Sequence, residues 1–311
     1  MAIQGKDEGN GMSNPRIGFI GVGLMGHGMA KNLLAKGFPL SFTVHRDRSR
    51  LADLVAAGAK EVKTPAELAA ASDVVILCVT GSPQVEANVF GEKGLLSAAR
   101  AGLTVVDTST AEPGSTARIR EAFAAKGVAF IDAPLARTPK EAEEGRLNTM
   151  VGASEADFAR LKPVFAGYCE NIFHVGPPGA GHTLKLVNNF FAMTIVASIA
   201  EGFAVAAKAG VRLDKLFEVV SMGAINSPIF QMMGGGAVAG DLTKMKFAIQ
   251  NAAKDMRYYT HLAEEQHVAS FLGNTVHQSF ELATAMGLGE KMVPSMIEAQ
   301  EQLNQLKIVP R

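Results

Sequence analysis

Two groups of residues have the types and spacing for chemistry. The first is Gly21-Val22-Gly23-Leu24-Met25-Gly26, a G-x-G-x-x-G run between the apolar segment Arg16–Ile20 and a helical segment reaching about Lys36. Strand before and helix after give this pattern its meaning: Gly21 permits the tight turn, Gly23 lets backbone approach a pyrophosphate, and Gly26 lets helix and strand pack closely. The phosphates then sit at the helix N-terminus. A glycine-rich turn without a ligand is the plain alternative. The second group is His182, Lys185 and Asn189, three and four residues apart and so on one helix face. By itself that face is either a solvated helix start or a site, because a buried lysine is costly without a partner or a role.

The elements that position these groups follow from patterning. Gly179–Gly210 is expected to form one helix, opened by Pro177-Pro178 and closed by Gly210, with Lys208 in its last turn. Its middle, Phe190–Ala200, is apolar all round except Thr194 and Ser198, which predicts burial between other elements. Gly, Lys, Asn and Glu interrupt it too often for a membrane span. Upstream the segments alternate in a βα rhythm. Strands are expected at Leu40–His45, Val74–Val79, Thr104–Asp107, Ala129–Asp132, Asn148–Val151 and Asn171–Val175, with helices at Pro65–Ala71 and from Pro113. Thr80-Gly81-Ser82-Pro83 and Thr108-Ser109-Thr110 fall at strand C-terminal ends, where open α/β sheets bind ligands. The hydroxyls of 108–110 either reach a nicotinamide amide or cap the next helix. Arg46 occupies the ribose-reading position about 20 residues past the glycines, with Arg48 and Arg50 nearby. An arginine fork suits a 2′-phosphate and favours NADP, while Asp47 keeps NAD open. Arg48 and Arg50 are expected at a solvated helix start.

With those motifs in place, the chain from Arg16 onward resembles the β-hydroxyacid dehydrogenase family, whose members include 3-hydroxyisobutyrate dehydrogenase and tartronate semialdehyde reductase. The resemblance is carried by GFIGVGLMGHGMAKNL, VVDTSTAEP, DAPLARTPKEAEEG, GHTLKLVNN and AAKDM. It implies an α/β fold: an N-terminal Rossmann doubly wound parallel sheet, a long interdomain helix and an all-α C-terminal domain that also dimerises. The corresponding boundaries are a disordered tail over 1–14, an NADP-binding domain over 15–177 and a substrate and dimerisation domain over 178–311. The family's cofactor contacts fall on Gly21, Val22, Gly23, Leu24, Met25, Gly26, Arg46, Val79, Thr80, Thr110 and Lys254, with His45, Gln84 and Phe247 in the same lining. Its catalytic lysine falls on Lys185 and a substrate-binding asparagine on Asn189, Asn188 facing roughly 100° away. The chemistry fits these types. Reducing an aldehyde develops an alkoxide that a lysine ammonium can stabilise and protonate, and oxidation needs the same amine neutral, which burial favours. His182, one turn earlier, is the rival proton donor or a structural histidine.

The substrate loop departs from the family. Where relatives have Ser-Gly-Gly after Asp-Ala-Pro-Val, this chain has Ala136-Arg137-Thr138. Arg137 takes a glycine position, and its guanidinium either grips an anion or closes onto Glu141 or Glu143 as a surface pair. The loop resembles the Gly-Arg-Thr of sulfolactaldehyde reductases in the same family, where the tail is a sulfonate. Substrate-binding residues are therefore expected at Asn189, Ala136, Arg137 and Thr138.

After Gly210 the pattern is helical to Leu306, with Gly234-Gly235-Gly236 and Gly240 marking a loop. The 311 residues suit one large or two ordinary domains; net charge zero points away from nucleic acid and acidic membranes. No His, Cys, Asp or Glu cluster has metal-ligand spacing, so no metal is expected. Cys78 and Cys169 read as buried thiols of a reducing compartment, and 1–14 lacks the apolar stretch of a secretory signal, so a cytoplasmic location is expected. The long apolar helix suggests a homodimer or homotetramer. The expected activity is NADP(H)-dependent interconversion of a small 3-hydroxy acid, or similar anionic alcohol, and its semialdehyde, as in 2-hydroxy-3-oxopropionate (tartronate semialdehyde) reductase. The alternatives are a sulfolactaldehyde-type reductase, an imine reductase, against which Lys185 argues, and a non-catalytic dinucleotide-binding module.

Overall fold

A computed structural model describes residues 14–44 and 48–310. His45, Arg46 and Asp47 lie outside the described residues, as does the expected tail apart from Asn14, whose Nδ2 donates to Lys36 O (3.2 Å). By compactness the chain divides into two units. The first holds residues through Ser109 together with Arg118–His174, the second Thr110–Ala117 with Val175 onward.

The first unit is built on β1 (Ile17–Ile20), β2 (Leu40–Thr43), β3 (Lys60–Glu61), β4 (Val74–Leu77), β5 (Thr104–Asp107), β6 (Ala129–Asp132), β7 (Leu135–Ala136), β8 (Leu147–Gly152) and β9 (Cys169–Gly176). Among the described residues they form one sheet in the order β3-β2-β1-β4-β5-β6-β8-β7, with β9 on β8. Pairing is parallel from β3 to β6, and β8 turns antiparallel to β6 and β7. The short edge strand β7 is unanticipated: Leu135 and Ala136 pair with Thr149 and Asn148 where the sequence suggested only loop. Both faces are covered, which is why Val74–Leu77 is apolar without alternation. Val74 and Ile76 enter one core with Phe19, Met29 and Leu33, while Val75 and Leu77 enter another with Val85 and Phe123. The helices that follow these strands are α1 (Gly26–Ala35), α2 (Ala52–Ala56), α3 (Pro65–Ala71), α4 (Ser82–Phe90), α5 (Leu95–Ala98), α6 (Pro113–Ala124), α7 (Pro139–Glu143) and α8 (Glu155–Phe165).

The second unit is helical: α9 (Ala180–Lys208), α10 (Leu213–Ser221), α11 (Pro228–Val238), α12 (Ile249–Glu265), α13 (Phe271–Ala283) and α14 (Met296–Asn304). Helix α9 runs unbroken between Gly179 and Gly210, both left-handed (φ 100° and 84°). It is not buried all round. One stripe, including Leu186, Asn189, Met193, Val196 and Phe203, is buried where α9 packs against α11–α14, while Leu184, Phe191 and Val205 are exposed. By length and composition α9 is apolar enough to cross a membrane, so the interruptions alone do not disqualify it; its buried stripe packs within the helical unit. The run Gly234–Gly236 lies inside α11, not in a loop. A Cβ at Gly234 would stand 2.8 Å from the Phe217 ring and one at Gly236 2.5 Å from Asp241 O, so close packing outweighs the poor helix propensity.

Candidate active site

The glycine loop sits between β1 and α1, beside the end of β4, where the strand order reverses. A Cβ on Gly21 (φ 97°) would lie 2.1 Å from Cys78 O, and one on Gly26 2.1 Å from Gly21 O, so both glycines are required by close backbone approach. Gly23 differs. Nothing of the protein lies within 4 Å of where its Cβ would be, and the residue is exposed. Internal packing gives no reason for that glycine; a ligand approaching the backbone does. Helix α1 begins without a side-chain cap and without an acidic residue in its first turn, and although His27 N already donates to Gly23 O (3.0 Å), the helix end suits an anion. The chain therefore fits a dinucleotide here. Leu24 is exposed, and Val22 and Met25 pack partly on the core. Across the turn, Val79 is half-buried and Thr80 and Gln84 are exposed.

Two of the candidate hydroxyls serve the fold. Thr108 Oγ1 donates to Leu77 O (2.7 Å), and Ser109 Oγ accepts from Val79 N (3.0 Å), tying the ends of β5 and β4 together. Arg48 spends its guanidinium on Glu61, bidentately at 3.0 and 2.6 Å, as an exposed pair.

At the loop expected to bind substrate, Arg137 adopts φ 81°, a left-handed conformation that glycine takes without strain. Its guanidinium is held by Arg146 O (2.5 Å) and by the Glu170 carboxylate. The alternative of a surface pair with Glu141 or Glu143 holds in kind but not in partner: Glu141 forms a capping box with Thr138 at the start of α7, and Glu143 takes His27 and Lys31. Ala136 is half-buried in β7.

In the helical unit, Lys185, Asn189, Lys254 and Thr110 come together around a residue that sequence reasoning passed over, Asp255. Asp255 is 2% exposed. Its Oδ2 accepts from Asn189 Nδ2 (2.6 Å), and its Oδ1 lies 2.8 Å from Lys254 Nζ as an ion pair. Because a carboxylate only accepts, the Asn189 amide is fixed with nitrogen toward Asp255, and its oxygen receives Asn188 Nδ2 (3.2 Å). Lys254 is mostly buried, not a solvated lysine; Nζ also reaches Thr110 O (3.4 Å) and the Tyr258 ring (4.9 Å to its centre). Lys185 is half-buried, and its pKa is lowered, first by desolvation and then by the Lys254 charge, with Asp255 opposing. His182 is fully buried, with Nδ1 2.7 Å from Thr116 Oγ1, a placement that favours the structural histidine. Phe247 packs partly against the helical core. Among the described residues no group of His, Cys, Asp and Glu could hold a metal ion.

A 3-2-1-4-5-6 parallel order with a glycine turn and an uncapped helix at its reversal point defines a dinucleotide-binding fold, followed in sequence by a separate helical unit. Residues 16–176 match the family described as the NAD-binding domain of 6-phosphogluconate dehydrogenase, and 179–299 that described as NAD-binding of NADP-dependent 3-hydroxyisobutyrate dehydrogenase. The chain is 33% identical to 2-(hydroxymethyl)glutarate dehydrogenase of Eubacterium barkeri, over 94% of this chain and 97% of that protein. It is 36% identical to 2-hydroxy-3-oxopropionate reductase of Escherichia coli K12, over 70% of this chain and 74% of that protein. The crystal structure of a Salmonella typhimurium 3-hydroxyisobutyrate dehydrogenase is 29% identical, with a TM-score of 0.79 over 91% of this chain and 99% of that one. The chain belongs to the β-hydroxyacid dehydrogenase family and is a nicotinamide-dependent enzyme acting on CH–OH groups.

Proposed function

We propose that the protein interconverts a small 3-hydroxy acid and its semialdehyde with NADP(H), in the manner of a 2-hydroxy-3-oxopropionate reductase. The observation that carries this reading is Lys185: a lysine of depressed pKa one helical turn from Asn189, whose amide is oriented by a buried carboxylate. The nicotinamide supplies or accepts the hydride. Lys185, as ammonium, stabilises the oxygen of the reduced carbonyl and gives it a proton; as free amine it takes the hydroxyl proton in oxidation. Asn189 uses one N–H on Asp255 and turns the other to the substrate. By family resemblance Lys254, Thr110 and Phe247 are assigned to the cofactor, and Lys254 and Thr110 are neighbours of Asp255. Gly21, Val22, Gly23, Leu24, Met25 and Gly26 hold the pyrophosphate, with Val79, Thr80 and Gln84 across the turn. Preference for NADP rests on Arg46 and His45 in the sequence, since Arg48 is engaged by Glu61.

Ala136, Arg137 and Thr138 receive the substrate's anionic tail. Arg137 rests on Glu170, so an anion gripped by it displaces that carboxylate, and a sulfonate is the second reading. In this scheme residues 15–177 carry the cofactor and 178–311 the substrate lysine and the dimer contact. The dimer reading is supported by the second face of α9, with exposed Leu184, Phe191 and Val205, and by Val219, Met222 and Ile225 at and beyond α10. A cytoplasmic location is supported by two unpaired cysteines. The test is the initial rate of NADPH oxidation against aldehydes that keep the carbonyl and vary the tail among carboxylate, sulfonate, phosphate and neutral hydroxyl. A marked preference for carboxylate is expected. Turnover indifferent to tail charge refutes the role of the loop, and absence of turnover with every tail refutes the reaction.

A further inference from the structure

The residue after the last glycine of the loop, His27, takes no part in the function just described, yet it is 9% exposed and both its ring nitrogens meet carboxylates. Nδ1 lies 2.5 Å from Glu143 Oε1, at the end of α7. Nε2 lies 3.1 and 3.0 Å from the two oxygens of Asp53, in α2. A neutral imidazole has a single N–H, and an ionised carboxylate only accepts. Satisfying two carboxylates from two ring nitrogens therefore needs both protons, so the histidine is cationic in this arrangement.

The contact with α7 is reinforced along α1. A Cβ on Gly28 would stand 2.4 Å from the carbonyl carbon of Ala142, so the two helices meet backbone to backbone. Asn32 Nδ2 donates to Ala142 O and Glu143 O, both at 3.1 Å, and satisfies carbonyls at the end of α7. Lys31 Nζ reaches Glu143 Oε2 (3.3 Å). At its other end α7 is capped by Thr138, the last residue of the substrate loop. The loop is thus anchored to the start of the phosphate-binding helix through one short helix, and the side chain that closes the anchor is His27.

We propose that His27, held as an imidazolium between Asp53 and Glu143, is a positioning residue that fixes the loop Ala136–Thr138 relative to the phosphate-binding end of α1. It acts through α7 and touches neither substrate nor cofactor. The charged groups facing it are Asp53 from α2 and Glu143 from α7, with Lys31 of its own helix on the far side of Glu143. Burial alone would lower the pKa of His27, but the hydrogen bonds to Glu143 and Asp53 outweigh it and raise the value. Asp53 and Glu143 are held below the ordinary carboxylate range despite partial burial. The anchor is therefore intact through the acid side of an ordinary histidine titration and releases as pH rises through the elevated value.

The kinetic consequence rests on the reductase reading; the structural one does not, so two measurements are made on the full chain. The first is hydrogen–deuterium exchange of residues 136–146 in wild type and His27→Gln, which removes the charge and one of the two bonds. Faster exchange confined to that segment and α2 is expected, and unchanged exchange there overturns the proposal whether or not any aldehyde is turned over. The second is KM for the preferred aldehyde across neutral and alkaline pH. In wild type KM rises as His27 loses its proton. In His27→Gln it is high throughout, by about tenfold as for one lost bond to a charged group, with kcat within about threefold. A His27→Gln enzyme with wild-type KM and the same pH profile refutes the positioning role. Should that variant fail to fold, Glu143→Gln keeps the shape, neutralises the α7 end and is read by the same two measurements.

Discussion

Replacing Asp255 by asparagine removes one charge from a buried site and little else. In wild type that carboxylate accepts from Asn189 (2.6 Å) and pairs with Lys254 (2.8 Å). Removing one partner of a fully buried ion pair costs about 3–5 kcal/mol. The Lys254 side chain keeps 16% of its exposure and can turn toward water, so the smaller figure for a hydrogen bond to a charged group, about 1.5–3 kcal/mol, governs stability here. The kinetic effect has two parts. The Asn189 amide loses the acceptor that fixes its orientation, because an asparagine at 255 can present either oxygen or nitrogen. Loss of one such oriented contact, about 1.4–3 kcal/mol, lowers kcat/KM by roughly 10–150-fold. Asp255 also raises the pKa of Lys185 against desolvation, so its loss lets that pKa fall further. Reduction needs the ammonium and oxidation the amine, so the pH limits of both directions move to lower pH together. Denaturant unfolding followed by circular dichroism reads the first effect, and pH–rate profiles in both directions read the others. A variant that is less stable but keeps its kcat/KM and both profiles would show Asp255 to be only structural, and the reasoning about Asn189 and Lys185 would fall.

Lys185→Met keeps side-chain bulk without the amine, and its kcat should fall at least about a hundredfold, the usual contribution of general acid–base catalysis, with cofactor affinity unchanged in a fluorescence titration. Gly23→Ala is expected to leave thermal stability unchanged, since nothing of the protein stands within 4 Å of the added Cβ, but to weaken NADPH binding about tenfold or more; Gly26→Ala, 2.1 Å from Gly21 O, should destabilise the fold itself. Unaltered binding in Gly23→Ala would remove the loop from the cofactor site. On the exposed face of α9, wild type is expected to run as a dimer by light scattering and Phe191→Glu as a monomer, and wild type running as a monomer would discard that face as an interface.

What the sequence disclosed was what short-range pattern encodes. The glycine turn, the uninterrupted Val74–Leu77 strand and helix α9 with its glycine ends were all legible, because each depends on neighbours a few residues away. Asp255 was not singled out, though a signal existed. Ile249, Ala252, Ala253 and Met256 form the buried stripe of α12, and a carboxylate beside that stripe must have a partner. The partner, Asn189, is 66 residues away and invisible to periodicity. The same distance problem hid His27 and Glu143, 116 residues apart, and the inclusion of Thr110–Ala117 in the helical unit. Arg137 was recognised as unusual from a family departure, but its seat on Glu170 required the fold of β8 and β9. Gly234–Gly236 misled because propensity was weighed without the Phe217 ring that requires small residues in α11.

The central claim is hydride transfer to a carbonyl under the control of Lys185. Its most direct measurement uses NADPH deuterated at the transferring carbon, the preferred semialdehyde and mass analysis of the alcohol formed. Wild type is expected to yield a hydroxy acid carrying one deuterium, and Lys185→Met to yield almost none. An unlabelled product from wild type, or full labelling at an undiminished rate from Lys185→Met, would contradict the account.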